Sequence, residues 1–272
     1  MTGATGSLGA HILAELVALP QVAKVFCLSR AKSHEDSVAR VRSSLDQRQR
    51  VLSAEQEAKI ISWAADVNKP DLGLQPEEYK QLSDLATSVI VNAWPVNFTL
   101  SLASFDPHIG GAINLLNLAQ ESAHRATYYF SSSVGTRQGR IDPIAEEAFP
   151  DSPSTAGGMG YGQSKWVVEK TLERAALEKN ARVGVLRIGQ LVGDTINGVW
   201  NETEAWPLMF KSANTIGALP ALDEQLSWLP VDLAAKSITE VATQSEATYK
   251  SPAVYHIVNA DASSVFQKQL LE

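Results

Sequence analysis

An α/β fold follows from two features of this 272-residue sequence. Runs rich in β-branched and aromatic residues alternate with segments of helical period, the pattern of βαβ units joined by right-handed crossovers. A glycine-spaced turn, "TGATGSLG", opens the first of those helices. Together they predict a Rossmann-type doubly wound parallel sheet with a small, truncated C-terminal substrate-binding part.

Each element has its own warrant. "SLGAHILAELVAL" is apolar at helical spacing, and "KVFCLS" after it reads as a strand. "HEDSVARVRSSLDQR" is a polar-faced helix, followed by the strand "AKIISWAA" and then the strand "SVIVNAW". "PHIGGAINLLNLAQESA" is a helix and "TYYFSSS" a strand. In "GYGQSKWVVEKTLERAALEKN", Val167, Val168, Leu172 and Ala175 fall on one side while charged residues dominate the other. "RVGVLRIG" is the next strand. From Thr195 to Leu229, with three tryptophans, prolines and no clean period, the chain reads as an inserted substrate-side segment. "VDLAAKSITEVAT" is a helix with Asp232 as its expected N-cap, and "AVYHIVNA" is the last strand. The expected organisation is residues 1–194 for nucleotide binding, 195–229 for the insertion, and 230–272 for the last helix, strand and a truncated C-terminal region.

Composition narrows the function classes. A formal charge of -7 argues against nucleic acid, whose phosphates need a basic surface. No apolar run approaches the roughly 18 residues of a membrane span, and the N-terminus lacks a signal peptide's basic flank, so a cytoplasmic address is expected. The single cysteine, Cys27, lies in an apolar run and reads as core, and nothing resembles a metal cluster. His108 and His124 read as structural.

Gly3, Gly6 and Gly9 stand at three-residue spacing before a helix. Glycines let the backbone approach a pyrophosphate, whose charge then lies against the helix N-terminus. Dinucleotide binding by residues of this turn (Gly3, Thr5, Gly6, Ser7, Leu8, Gly9) is therefore expected. Its supporting strand should precede it, yet the chain begins at Met1, so a clipped or nearly absent first strand is expected. At the tip of the second strand an acid would bind a ribose 2′-hydroxyl and a base a 2′-phosphate. Here "CLSRAK" offers Arg30 and Lys32 and no acid, which favours NADP(H), and Arg40 on the next helix is a candidate second guanidinium.

Tyr161 and Lys165 stand one helical turn apart on one face. A carbonyl receiving hydride needs a proton donor, and a nearby ammonium is expected to favour the phenolate and lower the Tyr pKa. A hydroxyl at the end of "YYFSSSVG" would polarise the carbonyl: Ser132 is the favoured candidate, with Ser133 the alternative if the strand register shifts by one.

These motifs resemble the extended short-chain dehydrogenase/reductases. More specifically, "CLSRAK", "VNAWPVNF", "GYGQSKWVVEKTL", "RIGQLVGD", "GVWNETEAWP" and "SWLPVDLAA" resemble the terminal thioester reductase domains of nonribosomal peptide synthetases, polyketide synthases and carboxylic acid reductases, above all fungal synthetase-like reductases. The resemblance implies a catalytic set of Ser132, Tyr161 and Lys165, and 2′-phosphate binding by Arg30 and Arg40. It further implies that Asp66 and Val67 lie near the adenine, Asn92 and Ala93 along the cofactor path, and Gly189 and Gln190 near the nicotinamide. For Asp66 a turn after the strand is an equal reading. NADPH-dependent release of an acyl thioester from a phosphopantetheinylated carrier domain, as an aldehyde or further to the alcohol, is the implied activity.

Such domains normally carry a longer C-terminal helical region, so an incomplete substrate lid is expected. An excised domain, a truncated product and a stand-alone reductase all fit. Two other readings remain open: an extended dehydrogenase acting on a free small-molecule carbonyl or sugar nucleotide, and a non-catalytic NADP(H)-binding protein. Trp200, Trp206 and Trp228 are candidates for an aromatic or long-chain substrate pocket.

Overall fold

The computed structural model describes residues 1–137, 149–220, 226–244 and 250–259. Along the chain run α1 (Ser7–Ala18), β1 (Val25–Ser29), α2 (His34–Gln47), α3 (Ala54–Glu57), β2 (Ile60–Ala64), α4 (Pro76–Leu85), β3 (Ser88–Val91) and α5 (Asp106–Glu121). There follow β4 (Thr127–Ser133), α6 (Gly160–Lys179), β5 (Val183–Ile188), β6 (Leu191–Val192), α7 (Ala205–Ile216), β7 (Leu229–Pro230), α8 (Val231–Ala242) and β8 (Ala253–Ile257). Short 3₁₀ turns at Leu102–Phe105, Val134–Arg137 and Pro153–Ala156 carry the chain over the ends of β4 and α6.

The main ladders are all parallel, β1 with β2 and then β3, β4, β5 and β8 in series. Thr2 joins the two halves, bridging Leu28 on β1 and Val91 on β3. Its N–H donates to the Ile90 carbonyl at 2.9 Å, and the Leu28 N–H donates to the Met1 carbonyl at 2.9 Å. The first strand, expected to be clipped or nearly absent, is thus reduced to a bridge at Thr2, and the spatial order is β2, β1, Thr2, β3, β4, β5, β8. The connections diverge to either side of Thr2, which makes its carboxyl end the switch point where such sheets bind ligands.

The central strands are buried on both faces, as the near-continuous apolar runs of β4 and β5 require. On one face Tyr128, Phe130, Val183 and Val185 pack against Leu115 and Leu116 of α5 and Val168 and Leu172 of α6. On the other, Tyr129, Leu186 and Ile188 meet Ile12, Leu13 and Val17 of α1 and Ala234, Ala235 and Ile238 of α8. Burying each large side chain contributes about 1.5–3 kcal/mol. Cys27 is in this second core, its thiol pushed up to about 11 by burial.

Several elements differ from the sequence expectation. α4 begins with Pro76 at its first turn and a reciprocal Gln75/Glu78 capping box, start signals that its polar composition masked. Within 195–229 the chain forms α7, and β7 pairs with β6. Pro207 sits in α7's first turn, where its missing N–H costs no intrahelical bond. Asp232 is not the N-cap of α8, since Pro230 holds that position. Its carboxylate instead accepts the Thr195 N–H at 3.1 Å and the Thr195 hydroxyl at 2.5 Å, tying the insertion to α8.

Candidate active site

The glycine turn folds against the start of α1. A Cβ on Gly9 would lie 1.9 Å from the Gly3 carbonyl oxygen, so only glycine lets the helix approach the turn this closely. Gly3 itself has φ +79, the left-handed region. The N-cap, Gly6, makes no side-chain capping bond, and no acid occupies the first turn. The N-terminus of α1 thereby keeps its positive end for an anion. Thr5, Ser7 and Leu8 are half-buried around it, and the Thr2 hydroxyl accepts the N–H groups of Asn92 and Ala93 at 3.2 and 3.1 Å. The structure therefore brings the predicted phosphate turn and the Asn92–Ala93 loop together at the switch point. This cradle fits a dinucleotide pyrophosphate.

At the tip of β1, Arg30 is exposed, and the Arg40 guanidinium donates to the Arg30 carbonyl. Two arginine side chains thus stand at this strand tip. Beneath them a buried chain of hydroxyls, Ser29 to Ser37 to Ser62 with both steps 2.7 Å, fixes α2 to the strand ends. Asp66 is half-buried and its carboxylate accepts the Asn68 N–H at 3.1 Å, a turn role. The Val67 carbonyl accepts from the Asn114 side chain at 2.9 Å. At the far end, Gly189 donates its N–H to Ile257 at 3.0 Å, and the Gln190 carbonyl accepts from Leu229 at 2.9 Å.

The α6 helix starts hard against its neighbours: a Cβ on Gly162 would stand 2.8 Å from the carbonyl oxygens of Ala156 and Gly135. That close approach aims Tyr161 over the carboxyl end of β4. There the Ser133 hydroxyl neighbours the Tyr161 phenol and acts to lower its pKa, and the Gly135 N–H donates to the Ser133 hydroxyl at 3.0 Å. Phe98 and Phe105 stand edge-on to the Tyr161 ring, with centroids 5.1 and 6.4 Å away.

Ser132 is a correction. Its hydroxyl points to the opposite face of β4 and donates to Glu169 at 2.5 Å, within a fully buried group that includes Arg187. Arg187 in turn gives Glu169 a 2.6 Å ion pair and two further contacts at 3.2 Å. Successive strand residues alternate faces, so Ser132 and Ser133 meet different neighbours. The Glu169–Arg187 pair was missed in the sequence. An arginine inside the apolar run "GVLRIG" was its signal, since a charge in a doubly covered strand demands a carboxylate.

The electrostatics of Tyr161 also differ from expectation. Burial raises its pKa, and only the Ser133 hydrogen bond acts against that. The Lys165 ammonium donates to the Ser131 carbonyl, 2.5 Å away. Lys165 is 2% exposed. Burial pulls its pKa well below the usual lysine value, against the opposing charge of Glu169.

Trp94, next to Ala93, was not singled out in the sequence. Its ring covers the Lys165 ammonium at 4.4 Å from the centroid, while the Phe130 ring lies 4.6 Å away on β4. Farther out, Trp200, Trp206 and Trp228 meet with Phe210 at ring separations of 5.0 to 6.5 Å. All four rings are half-buried, in the segment that follows β5. Among the described residues no group of three metal-ligating side chains stands together, and no helix is long and apolar enough to cross a membrane.

A switch-point glycine cradle, a basic strand tip and a Tyr–Lys pair beside a strand-end serine define a nucleotide-binding domain of the short-chain dehydrogenase/reductase class. The chain belongs to the family described as male sterility protein, whose family model matches residues 1–238. It is 36% identical over 271 residues to the adenylate-forming reductase Nps10 of Heterobasidion annosum, covering 98% of this chain and 24% of that protein. It is 33% identical over 280 residues to 3-methylorcinaldehyde synthase of Sarocladium schorii, covering 95% of this chain and 10% of that protein. Among solved structures, the terminal R domain from the myxalamid PKS-NRPS biosynthetic pathway superposes with a TM-score of 0.88 at 29% identity, over 99% of this chain and 66% of that one. The chain thus spans a quarter or less of the two full-length relatives.

Proposed function

We propose that this domain uses NADPH to reduce an acyl thioester presented on the phosphopantetheine arm of a carrier domain, releasing the acyl group as an aldehyde. One observation carries the reading: Ser133, Tyr161 and Lys165 converge at the carboxyl end of β4, across the switch point from the Gly3 and Asn92–Ala93 cradle. Arg30 at the tip of β1 and Arg40 on α2 support NADPH over NADH. The similarity to an adenylate-forming reductase and to an aldehyde synthase, each several times longer than this chain, supports a carrier-bound substrate.

NADPH held by the Gly3 cradle would supply the hydride for the thioester carbonyl carbon. The chain's own residues manage the oxygen and the protons. Ser133 and Tyr161 donate hydrogen bonds to the carbonyl oxygen and stabilise the charge that develops there. Tyr161, held protonated by its burial, passes its proton to that oxygen and gives a hemithioacetal. The Lys165 ammonium, 5.8 Å from the Tyr161 ring centroid, stabilises the phenolate left behind. Tyr161 then takes the hydroxyl proton back as the C–S bond breaks, the carbonyl re-forms as an aldehyde, and the thiolate takes one proton from solvent. The sum is thioester, NADPH and one proton giving aldehyde, thiol and NADP⁺. The aromatic group of Trp200, Trp206, Phe210 and Trp228 offers an apolar wall for the acyl chain.

Tyr161→Phe tests the assignment. Turnover of an acyl-pantetheine thioester should fall by roughly 10²–10⁴, with the Kd for NADPH nearly unchanged. Undiminished turnover refutes the role of Tyr161.

A further inference from the structure

Lys165 is a charged group in an apolar box. Its ammonium has one hydrogen-bond acceptor, the Ser131 carbonyl, and two aromatic faces, Trp94 and Phe130, within 4.6 Å. An ammonium so placed is desolvated, and that cost is met by the negative face of an aromatic ring more effectively when water is excluded. Phe130 belongs to the strand and packs in the core whatever Lys165 does. Trp94 is different, because it lies in the loop after β3 and its orientation is fixed by several contacts. The ring stacks on Phe105 with 6.2 Å between centroids, meets Phe130 edge-on at 5.4 Å, and donates its N–H to the Ser164 hydroxyl at 3.3 Å. The Ser164 hydroxyl in turn donates to the Tyr161 carbonyl at 2.7 Å. One indole therefore touches the lysine and, through Ser164, the backbone of the tyrosine.

We propose that Trp94 is a positioning residue for the reduction: its π face holds Lys165 as an ammonium, anchored on the Ser131 carbonyl and beside the Tyr161 ring, where it can stabilise the Tyr161 phenolate. The proposal rests on the reading of Tyr161 and Lys165 given above. The groups facing Lys165 are Tyr161 and Glu169 on its own helix, with Arg187 of β5 bound to Glu169, the Ser131 carbonyl of β4, and His108 of α5. Glu169 favours the ammonium and is itself engaged by Arg187 and Ser132. His108 is kept neutral by burial, by Arg30 and by Lys165 itself, so it adds no opposing charge at neutral pH. The ring face is thus the remaining influence that a single substitution can remove while the lysine stays covered.

The test compares Trp94→Leu, which keeps an apolar cover but removes the π face, with Trp94→Phe, which keeps a π face and removes the N–H. Two readouts are taken: the side-chain ¹⁵N titration of Lys165 in labelled protein, and the alkaline limb of the kcat profile with NADPH and an acyl-pantetheine thioester. The ammonium is the form the ring favours, so its loss should lower the Lys165 titration midpoint. Trp94→Leu is expected to move both readouts about one pH unit downward, with a much smaller move in Trp94→Phe. An unmoved or upward-moving Lys165 titration in Trp94→Leu overturns the proposal, as does an equal shift in both variants.

Should Trp94→Leu not fold, global replacement of the six tryptophans by a graded series of fluorinated tryptophans keeps the shape and weakens the π face stepwise. The Lys165 midpoint should fall with each added fluorine, and a flat series overturns the proposal. Lys165→Met separates this idea from its premise. Full turnover in that variant removes the catalytic role of Lys165, while the ¹⁵N titration still decides whether Trp94 holds its charge.

Discussion

Ser132 and Ser133 are neighbours on β4 with opposite tasks, and exchanging each for alanine should separate stability from chemistry. Ser132→Ala removes a buried O–H that donates to the ionised Glu169 at 2.5 Å. A hydrogen bond to a charged group contributes about 1.5–3 kcal/mol, and Glu169 keeps only its contacts to Arg187. For a chain of this size about 2 kcal/mol corresponds to a fall of roughly 4–8 °C in Tm. Turnover at a temperature well below Tm should stay within a few-fold of the parent.

Ser133→Ala should do the reverse. It removes a partly exposed hydroxyl at the strand end, so Tm should change little. Turnover should fall on the order of 10²–10³, the loss expected for one donor to a developing oxyanion. The assays are thermal unfolding by circular dichroism and NADPH oxidation with an acyl-pantetheine thioester. A collapse of turnover in Ser132→Ala at unchanged Tm, with Ser133→Ala active, would refute the assignment of faces.

Three further expectations concern the cofactor and pH. Gly9→Ala would press its Cβ onto the Gly3 carbonyl, so NADPH affinity measured by fluorescence titration should fall by at least tenfold while the far-ultraviolet spectrum is kept. Arg30→Ala and Arg40→Ala should each weaken NADPH more than NADH, and an equal loss for both cofactors would remove the case for 2′-phosphate recognition. His256 has its pKa lowered by burial and then by Arg187 and Arg137, and its Nδ1 is buried without a partner. A depressed folded-state pKa means that the unfolded chain takes up the proton first. His256 therefore contributes stability above the ordinary histidine value near 6.5, lost as the pH falls through the lower folded-state value. His256→Gln should lose less Tm than the parent between about pH 7 and pH 5, and identical acid slopes would count against this.

Much of the site was legible because its chemistry leaves local marks. The Gly3, Gly6, Gly9 spacing, the basic tip at Arg30 and the one-turn separation of Tyr161 and Lys165 each constrain a short stretch of backbone. What stayed hidden depends on long-range geometry. Which serine of "SSS" faces Tyr161 is set by the register of β4 between β3 and β5, which no local pattern fixes. The Lys165 ammonium lies between the Ser131 carbonyl and the ring of Trp94, which lies 71 residues earlier in the chain. The α7 helix was obscured by Pro207, although Trp206, Met209 and Phe210 keep a helical spacing. A buried ion pair such as Glu169–Arg187 is readable in principle, but only once a strand is known to be covered on both faces.

The central claim is that this domain reduces a thioester and not merely a free carbonyl. The most direct measurement follows NADPH oxidation, free thiol and aldehyde together after an acyl-pantetheine thioester is added to the purified chain. Thiol and aldehyde should appear in equal amounts, and NADPH consumption should match them unless the aldehyde is reduced further, when it rises toward twice the thiol. NADPH oxidised by added aldehyde but not by the thioester, with no thiol released, would contradict the account.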